Sequence, residues 1–260
     1  MYPILLKFGP ITLYTYGAMM VAAFLAATTL AAHAARRLPK AYVAITPEQI
    51  VDFSCAALLG GLLGGRLFFV LLHWEEFARA PREILALWHG GLVWYGGFLG
   101  GLAGGWGYVR ARRLSFCRAL DQYAPFLALG HAIGRIGCFF NGCCYGKPTE
   151  AWCGVVFPGQ SVRVVPTQLI EATCLAFLFI LLRNRQRPSV LRHPGRLFGG
   201  YLAAYAAIRF VIEFLRGDQA IWWYGLTLQQ IISIGIFLIG CILLFRVSRS
   251  TQNSTRETRN

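Results

Sequence analysis

Of the 260 residues, 56% are hydrophobic and only 14% charged, with a mean hydropathy of +0.52. Soluble domains carry about 25% charged residues, so this composition excludes an ordinary globular domain and indicates an integral membrane protein. The net charge of +14 does not indicate nucleic acid, because 16 of the 25 Lys and Arg fall in residues 36–40, 110–118, 183–196 and the tail from Arg246, with one acidic residue, Glu257, among them. Basic segments between apolar runs follow the positive-inside pattern, which predicts that these four are cytoplasmic.

In chain order, hydropathy and charge predict seven transmembrane helices near 12–34, 50–72, 91–109, 119–138, 166–182, 197–215 and 226–246. The fold class predicted is all-α, with the N-terminus outside and the C-terminus cytoplasmic. The first apolar run follows only Lys7, and its basic flank comes after it at Arg36, Arg37 and Lys40, the reverse of a secretory leader. The second span carries Gly60, Gly61, Gly64 and Gly65, and the third is denser still, with Gly96, Gly97, Gly100, Gly101, Gly104 and Gly105. Such faces permit close helix contact in lipid. Between them, residues 73–89 include Trp74, Glu75, Glu76, Phe77 and Trp88, a stretch suited to the membrane interface. Residues 141–165 are polar and turn-rich, and are predicted to form a small external head. The seven-helix domain covers 1–247, and the polar, aperiodic tail 248–260 is predicted to be disordered.

The fourth span ends in GHAIGRIGCFFNGCCYGKPT, residues 130–149, where ionisable groups interrupt an apolar run. A charge in or beside the bilayer core is costly unless it pairs or faces water, which makes Arg135 the leading binding candidate, one turn after His131. In YAAIRFVIEFLR, Tyr205, Arg209, Glu213 and Arg216 share a helix face at spacings of 4, 4 and 3. Either this stripe is an internal ion-pair stack, or Glu213 orients Arg209 toward an anion, and both can hold together. A third group, Arg163, Pro166, Gln168 and Glu171, surrounds a helix start capped by Thr167, and Glu171 can reach either arginine. Cys138, Cys143, Cys144 and Cys153 lack C-x-x-C spacing, and a vicinal pair makes poor tetrahedral ligands, so no metal is predicted. Small buried residues, or a disulfide on the external face, remain the readings for these cysteines.

These residues resemble the prolipoprotein diacylglyceryl transferase family. The resemblance is carried by GRIGCFFNGCCYG at 134–146, GPITLYTYG at 9–17, WHGGLVWYGGFLGG at 88–101, PTQLIE at 166–171, YAAIRFVIEFLRGD at 205–218 and LTLQQIISI at 226–234. It implies a bacterial inner-membrane enzyme that moves the diacylglyceryl group of phosphatidylglycerol to the lipobox cysteine of a prolipoprotein. The implied products are a thioether and glycerol 1-phosphate, and no cofactor is implied. Position by position, Arg135 matches the family's phosphatidylglycerol-binding arginine and Arg209 its second essential arginine. Tyr205, Glu213 and Arg216 lie on the same helix, and Tyr16, Asn141 and Gly146 also match site positions. The sequence departs from the family at Tyr95, which stands where a catalytic histidine is usual, and at Cys138 and Cys143, where an asparagine and a glutamate are usual.

The residues suit that chemistry. Arginines aimed at the leaving phosphate stabilise charge that grows as the C–O bond breaks, and a nearby positive field favours the attacking thiolate. The proton acceptor is expected to be His131 or Tyr95, with His89 a further candidate. A relative with another acceptor, or a lipid-binding protein without catalysis, are the competing readings. The latter would require paired broken helices or repeats, which the sequence lacks.

Overall fold

The computed structural model describes residues 4–8, 11–86, 90–158, 160–217 and 219–257. Trp88 and His89, both singled out above, lie outside the described residues, as do Gly9, Pro10, Asp218 and residues 258–260. Among the described residues, seven helices have 18 residues or more: α1 (Thr15–Arg36), α2 (Pro47–Leu72), α4 (Trp94–Ala111), α5 (Phe116–Asn141), α6 (Thr167–Arg185), α8 (Arg196–Glu213) and α9 (Leu228–Glu257). The short α3 (Trp74–Arg79) follows α2, and α7 (Pro188–Leu191) joins α6 to α8. Each long helix overlaps one predicted span. α9 continues to Glu257, beyond Arg246 and into the polar tail.

Four helical segments are long and apolar enough to cross a membrane: α1, α2 with the turn before it, α6, and α9 as far as Arg246. The protein is therefore a predominantly helical membrane protein. The other three long helices are less apolar for visible reasons. α4 is rich in glycine, α5 carries Asp121, His131 and Arg135, and α8 carries Arg209 and Glu213.

Two hairpins add strands to the expected all-α plan. β1 (Ile4–Phe8) pairs antiparallel with β2 (Ile11–Tyr14), in register Ile4 to Tyr14 and Phe8 to Ile11. β3 (Ile221–Trp223) pairs with β4 (Leu226–Thr227) across Tyr224 and Gly225, both at positive φ, as a tight hairpin turn requires. Neither was visible as a period-two pattern, because the strands are only two to five residues long.

The glycine faces of α2 and α4 meet. A Cβ on Gly100 would overlap the Gly60 carbonyl oxygen, and one on Gly64 would overlap that of Gly96. Only glycine lets the two backbones approach this closely, and dispersion between them replaces the hydrophobic drive that lipid removes. Arg66 of α2 is buried and donates to the carbonyls of Glu83, Ile84, Ala86, Gly90 and Gly91. One side chain thus satisfies five carbonyls in residues 83–86 and 90–91, between α3 and α4.

α5 lies at the centre, packed on α1 and α6 and touching α8. Ala27, Ala31, Ala34 and Ala35 of α1 give room for Tyr123 and Phe126 of α5 and Phe53 of α2. At the α5 N-terminus buried polar groups are hydrogen-bonded, as burial demands. Asp121 accepts from the backbone N–H of Gly195 at 2.6 Å and of Phe198 at 2.8 Å, which caps α8. Gln122 accepts from Ala44 and Ile45 and donates back to Ile45. The opposite end of α5 opens into the 141–165 head, whose chain pairs with itself at Pro148–Val164 and Val155–Val164, and with the segment after α8 at Gly146–Arg216.

Candidate active site

Helical spacing aligns two stripes that face each other. On α5, His131 and Arg135 are one turn apart, and on α8, Tyr201, Tyr205, Arg209 and Glu213 follow at intervals of four. α6 contributes Glu171 between them. Arg135 Nε lies 3.0 Å from Glu171 Oε1, and Arg209 Nη1 lies 3.6 Å from Glu171 Oε2. Arg209 Nη2 is 2.7 Å from Glu213 Oε2, and Thr227 Oγ1 donates to Glu213 Oε1 at 2.9 Å. Thr227 is also half of the capping box that starts α9, with Gln230 as the other half.

Glu171, Glu213 and Arg209 are buried, whereas a fifth of the Arg135 side chain is exposed. Two guanidinium groups and two carboxylates make a neutral set, the condition under which four charges can be held this deep. The set is not saturated: Arg209 Nη1 is buried and makes no hydrogen bond, and Gln168 Oε1 is buried without a partner. Both arginines therefore keep donor capacity beside an exposed edge. A phosphate diester, with its planar pairs of acceptor oxygens, matches that capacity.

His131 Nδ1 is 2.9 Å from Tyr201 Oη, and its ring centroid is 5.2 Å from that of Tyr205. The residue keeps accessible surface on the flank of the bundle, while its ring packs on Tyr201 and Tyr205. Tyr205 stands within electrostatic reach of Arg135 and stacks on Tyr201, with the rings 9° from parallel. Tyr95 stands in the first turn of α4, 42% exposed, on a helix whose main partner is α2.

Gly146 accepts no side chain. A Cβ there would press on the Leu215 carbonyl, Val165 and Thr167. Its N–H donates to Val165 at 2.8 Å, and Lys147 N–H donates to Leu215 at 2.8 Å, so the head is laced to the end of α8, next to buried Arg216. Asn141 is the last residue of α5, and Tyr16 lies in the first turn of α1, half exposed. Tyr16 stands within electrostatic reach of Arg135 and of Cys138, Cys143 and Cys144. Hydrogen bonds to Cys138 first, then to Cys144 and Asn141, hold the Cys143 thiol below the usual thiol range. None of the eight cysteines forms a disulfide.

The structure thus gathers Arg135, Arg209, Glu213 and Tyr205 around Glu171, with His131 one turn away against Tyr201 and Tyr205, Gly146 and Arg216 on the adjoining strand-like lacing, and Tyr16 and Asn141 beside the cysteines. A sequence model of the prolipoprotein diacylglyceryl transferase family matches residues 3–246, nearly the whole chain. This chain belongs to that family. It is 32% identical over 257 residues to the phosphatidylglycerol–prolipoprotein diacylglyceryl transferase of Clostridium tetani, covering 96% of this chain and 98% of that one. It is 33% identical to the protein of the same name from Methylococcus capsulatus, covering 93% and 94%, and 31% identical to that of Francisella tularensis subsp. novicida, covering 98% and 96%.

Beside these candidates, this family member holds two residues that the sequence did not single out. Tyr201 aligns the His131 ring, and Thr227 ties Glu213 to α9. Tyr201 continues the four-residue interval of the α8 stripe backwards, a signal that was available. Thr227 reaches the site through a hairpin, and no local pattern announces that.

Proposed function

We propose that this protein transfers the diacylglyceryl group of phosphatidylglycerol to the lipobox cysteine of prolipoproteins, in the bacterial inner membrane. The observation that carries the reading is the double engagement of Glu171, which draws Arg135 and Arg209 from two helices onto one anion-sized locus. In this reading the protein crosses the membrane seven times, with its N-terminus and the 141–165 head outside. The basic segments lie in the cytoplasm, as their charge favours. The exposed Trp222, Trp223 and Tyr224 of the second hairpin then sit at the interface, where amphipathic rings are stable.

The phosphate diester of the lipid binds Arg135 and Arg209, with Tyr16, Asn141, Gly146, Tyr205, Glu213 and Arg216 shaping the site. The acceptor sulfur, as thiolate, attacks glycerol C3. The S–C bond forms as the C–O bond to phosphorus breaks, and the bonding pair leaves on the phosphate oxygen as glycerol 1-phosphate. The arginines stabilise the charge that gathers there. His131, one turn from Arg135, or Tyr95 takes the thiol proton in this scheme.

The test is transfer from radiolabelled phosphatidylglycerol to a lipobox peptide by the purified protein, with glycerol phosphate release measured in parallel. Arg135→Ala and Arg209→Ala are each expected to lose transfer by about 10²-fold or more, the scale of losing a preorganised donor to the leaving group. Unchanged transfer in both variants would overturn the role of the pair. His131→Ala and Tyr95→Phe, run alongside, identify the base by the larger loss.

A further inference from the structure

The turn that ends α5 gathers three thiols beside the arginine pair. Gly142 follows the helix at φ 72°. Its N–H donates to Phe139 at 3.1 Å, and Cys143 N–H donates to Cys138 at 3.2 Å. These are the two closing bonds of a Schellman motif, which folds the second residue past the helix back over its last turn and so places Cys143 against Cys138. Cys144 then adopts φ 63°, a region uncommon for a residue with a Cβ, and turns its sulfur to the same point. From α6, Thr167 Oγ1 and Gln168 Nε2 hold the carbonyls of Cys144 and Cys143 at 2.8 and 2.6 Å, which fixes the turn. As a result the three Sγ atoms lie within 4.8 Å of one another.

We propose that Cys138, Cys143 and Cys144 bind zinc, with the fourth coordination position open to the acceptor thiol. Linear spacing and the vicinal pair argued against a shared metal, but the Schellman turn overcomes the first, and the positive φ of Cys144 accompanies a third sulfur within 4.8 Å of the other two. Thiolates on a tetrahedral zinc at about 2.3 Å stand roughly 3.8 Å apart, a modest contraction of the present triangle. Sulfur ligands select zinc over magnesium or calcium. Three thiolates and a divalent cation sum to one negative charge, and the Arg135 guanidinium lies within electrostatic reach of all three sulfurs to balance it. Three protein ligands and one exchangeable position is the pattern of a working zinc rather than a structural one.

The assignment rests on the transfer reading above and adds to it a way of lowering the pKa of the acceptor thiol. A thiol that coordinates zinc gives up its proton readily, so His131 or Tyr95 need only receive it. The proton passes to that side chain, and the coordinated sulfur then makes its bond to glycerol C3 as the phosphate oxygen departs with the C–O pair.

Zinc content of the purified full-length protein, measured by plasma mass spectrometry, tests the site without reference to activity. About one zinc per chain is expected, retained in Cys153→Ser, whose exposed thiol lies outside the cluster, and lost in Cys143→Ser and in Cys138→Ser. Cobalt added to the stripped wild type should give sulfur-to-metal charge-transfer absorption, a reading that needs no variant to fold. Chelation should reduce lipid transfer by roughly 10²-fold, the lower range for activating a nucleophile by removing its proton, and zinc should restore it. Absence of both zinc and the cobalt absorption, or an oxidised cysteine pair within the cluster, would overturn the site. Bound zinc whose removal leaves transfer unchanged would overturn its role toward the acceptor. Bound zinc in a protein that transfers nothing to the lipobox peptide would support the metal site while refuting the transfer reading.

Discussion

Removing a carboxylate that serves two buried arginines should cost more than removing an ordinary ion-pair partner. Glu171 is enclosed, and its two oxygens face Arg135 and Arg209 on different helices. Glu171→Gln keeps the shape but strands two positive charges, and breaking one buried pair already costs about 3–5 kcal/mol. We therefore expect a clear fall in thermal midpoint together with loss of transfer. Bound phosphatidylglycerol should partly restore the midpoint, because its phosphate substitutes for the missing negative charge. Arg209→Lys should not rescue Arg209→Ala, since an ammonium cannot reach Glu213 Oε2 and a phosphate oxygen in the planar fork that arginine offers. Initial transfer rates for the three proteins check this. The arginines, His131 and the α8 stripe were legible from the sequence because i, i+4 spacing survives into structure unchanged. Glu171 was legible as a partner for either arginine, but its engagement of both at once was not, because that depends on how α5, α6 and α8 pack.

At the scale of elements, the glycines divide into those that permit a contact and those that permit nothing in particular. Gly100→Ala would drive a methyl into the Gly60 carbonyl, whereas Gly107 has no atom near its missing Cβ. Gly107→Ala should therefore leave stability unchanged or raise it by up to about 1 kcal/mol through helix propensity, while Gly100→Ala lowers it by separating α2 from α4. Thermal unfolding in one detergent compares the two. Asp121 offers a second contrast. It accepts two backbone N–H groups at the start of α8, so Asp121→Ala should cost about 1–2 kcal/mol, the usual range for a lost helix cap. Sequence periodicity located these helices within a few residues, yet it gave no sign of Asp121 as the cap for a helix 75 residues later. Nor did it expose the Schellman folding of Cys143 onto Cys138, which is set by the Asn–Gly step that ends α5 and not by the spacing of the cysteines.

For the molecule as a whole, the proposed orientation sets the two ends apart chemically. An impermeant maleimide applied to intact cells stripped of their outer membrane should label exposed Cys153 in the head and spare exposed Cys117 at the start of α5 until the membrane is opened. Labelling of Cys117 first would invert the topology. The long apolar runs and the basic segments between them were enough to place every long helix, because lipid forces the backbone to satisfy itself locally. The hairpins and the Arg66 anchorage were hidden, since each depends on residues meeting from distant parts of the chain. The neutrality of the four buried charges around Glu171 has one more consequence. A diester brings one negative charge into a balanced site, but a freed phosphate monoester carries about 1.5 to 2 at neutral pH. Each turnover therefore leaves a headgroup that the two arginines hold more tightly than the diester they bound, so departure of glycerol phosphate into water, and not the bond exchange, is expected to set the pace at which the next lipid enters.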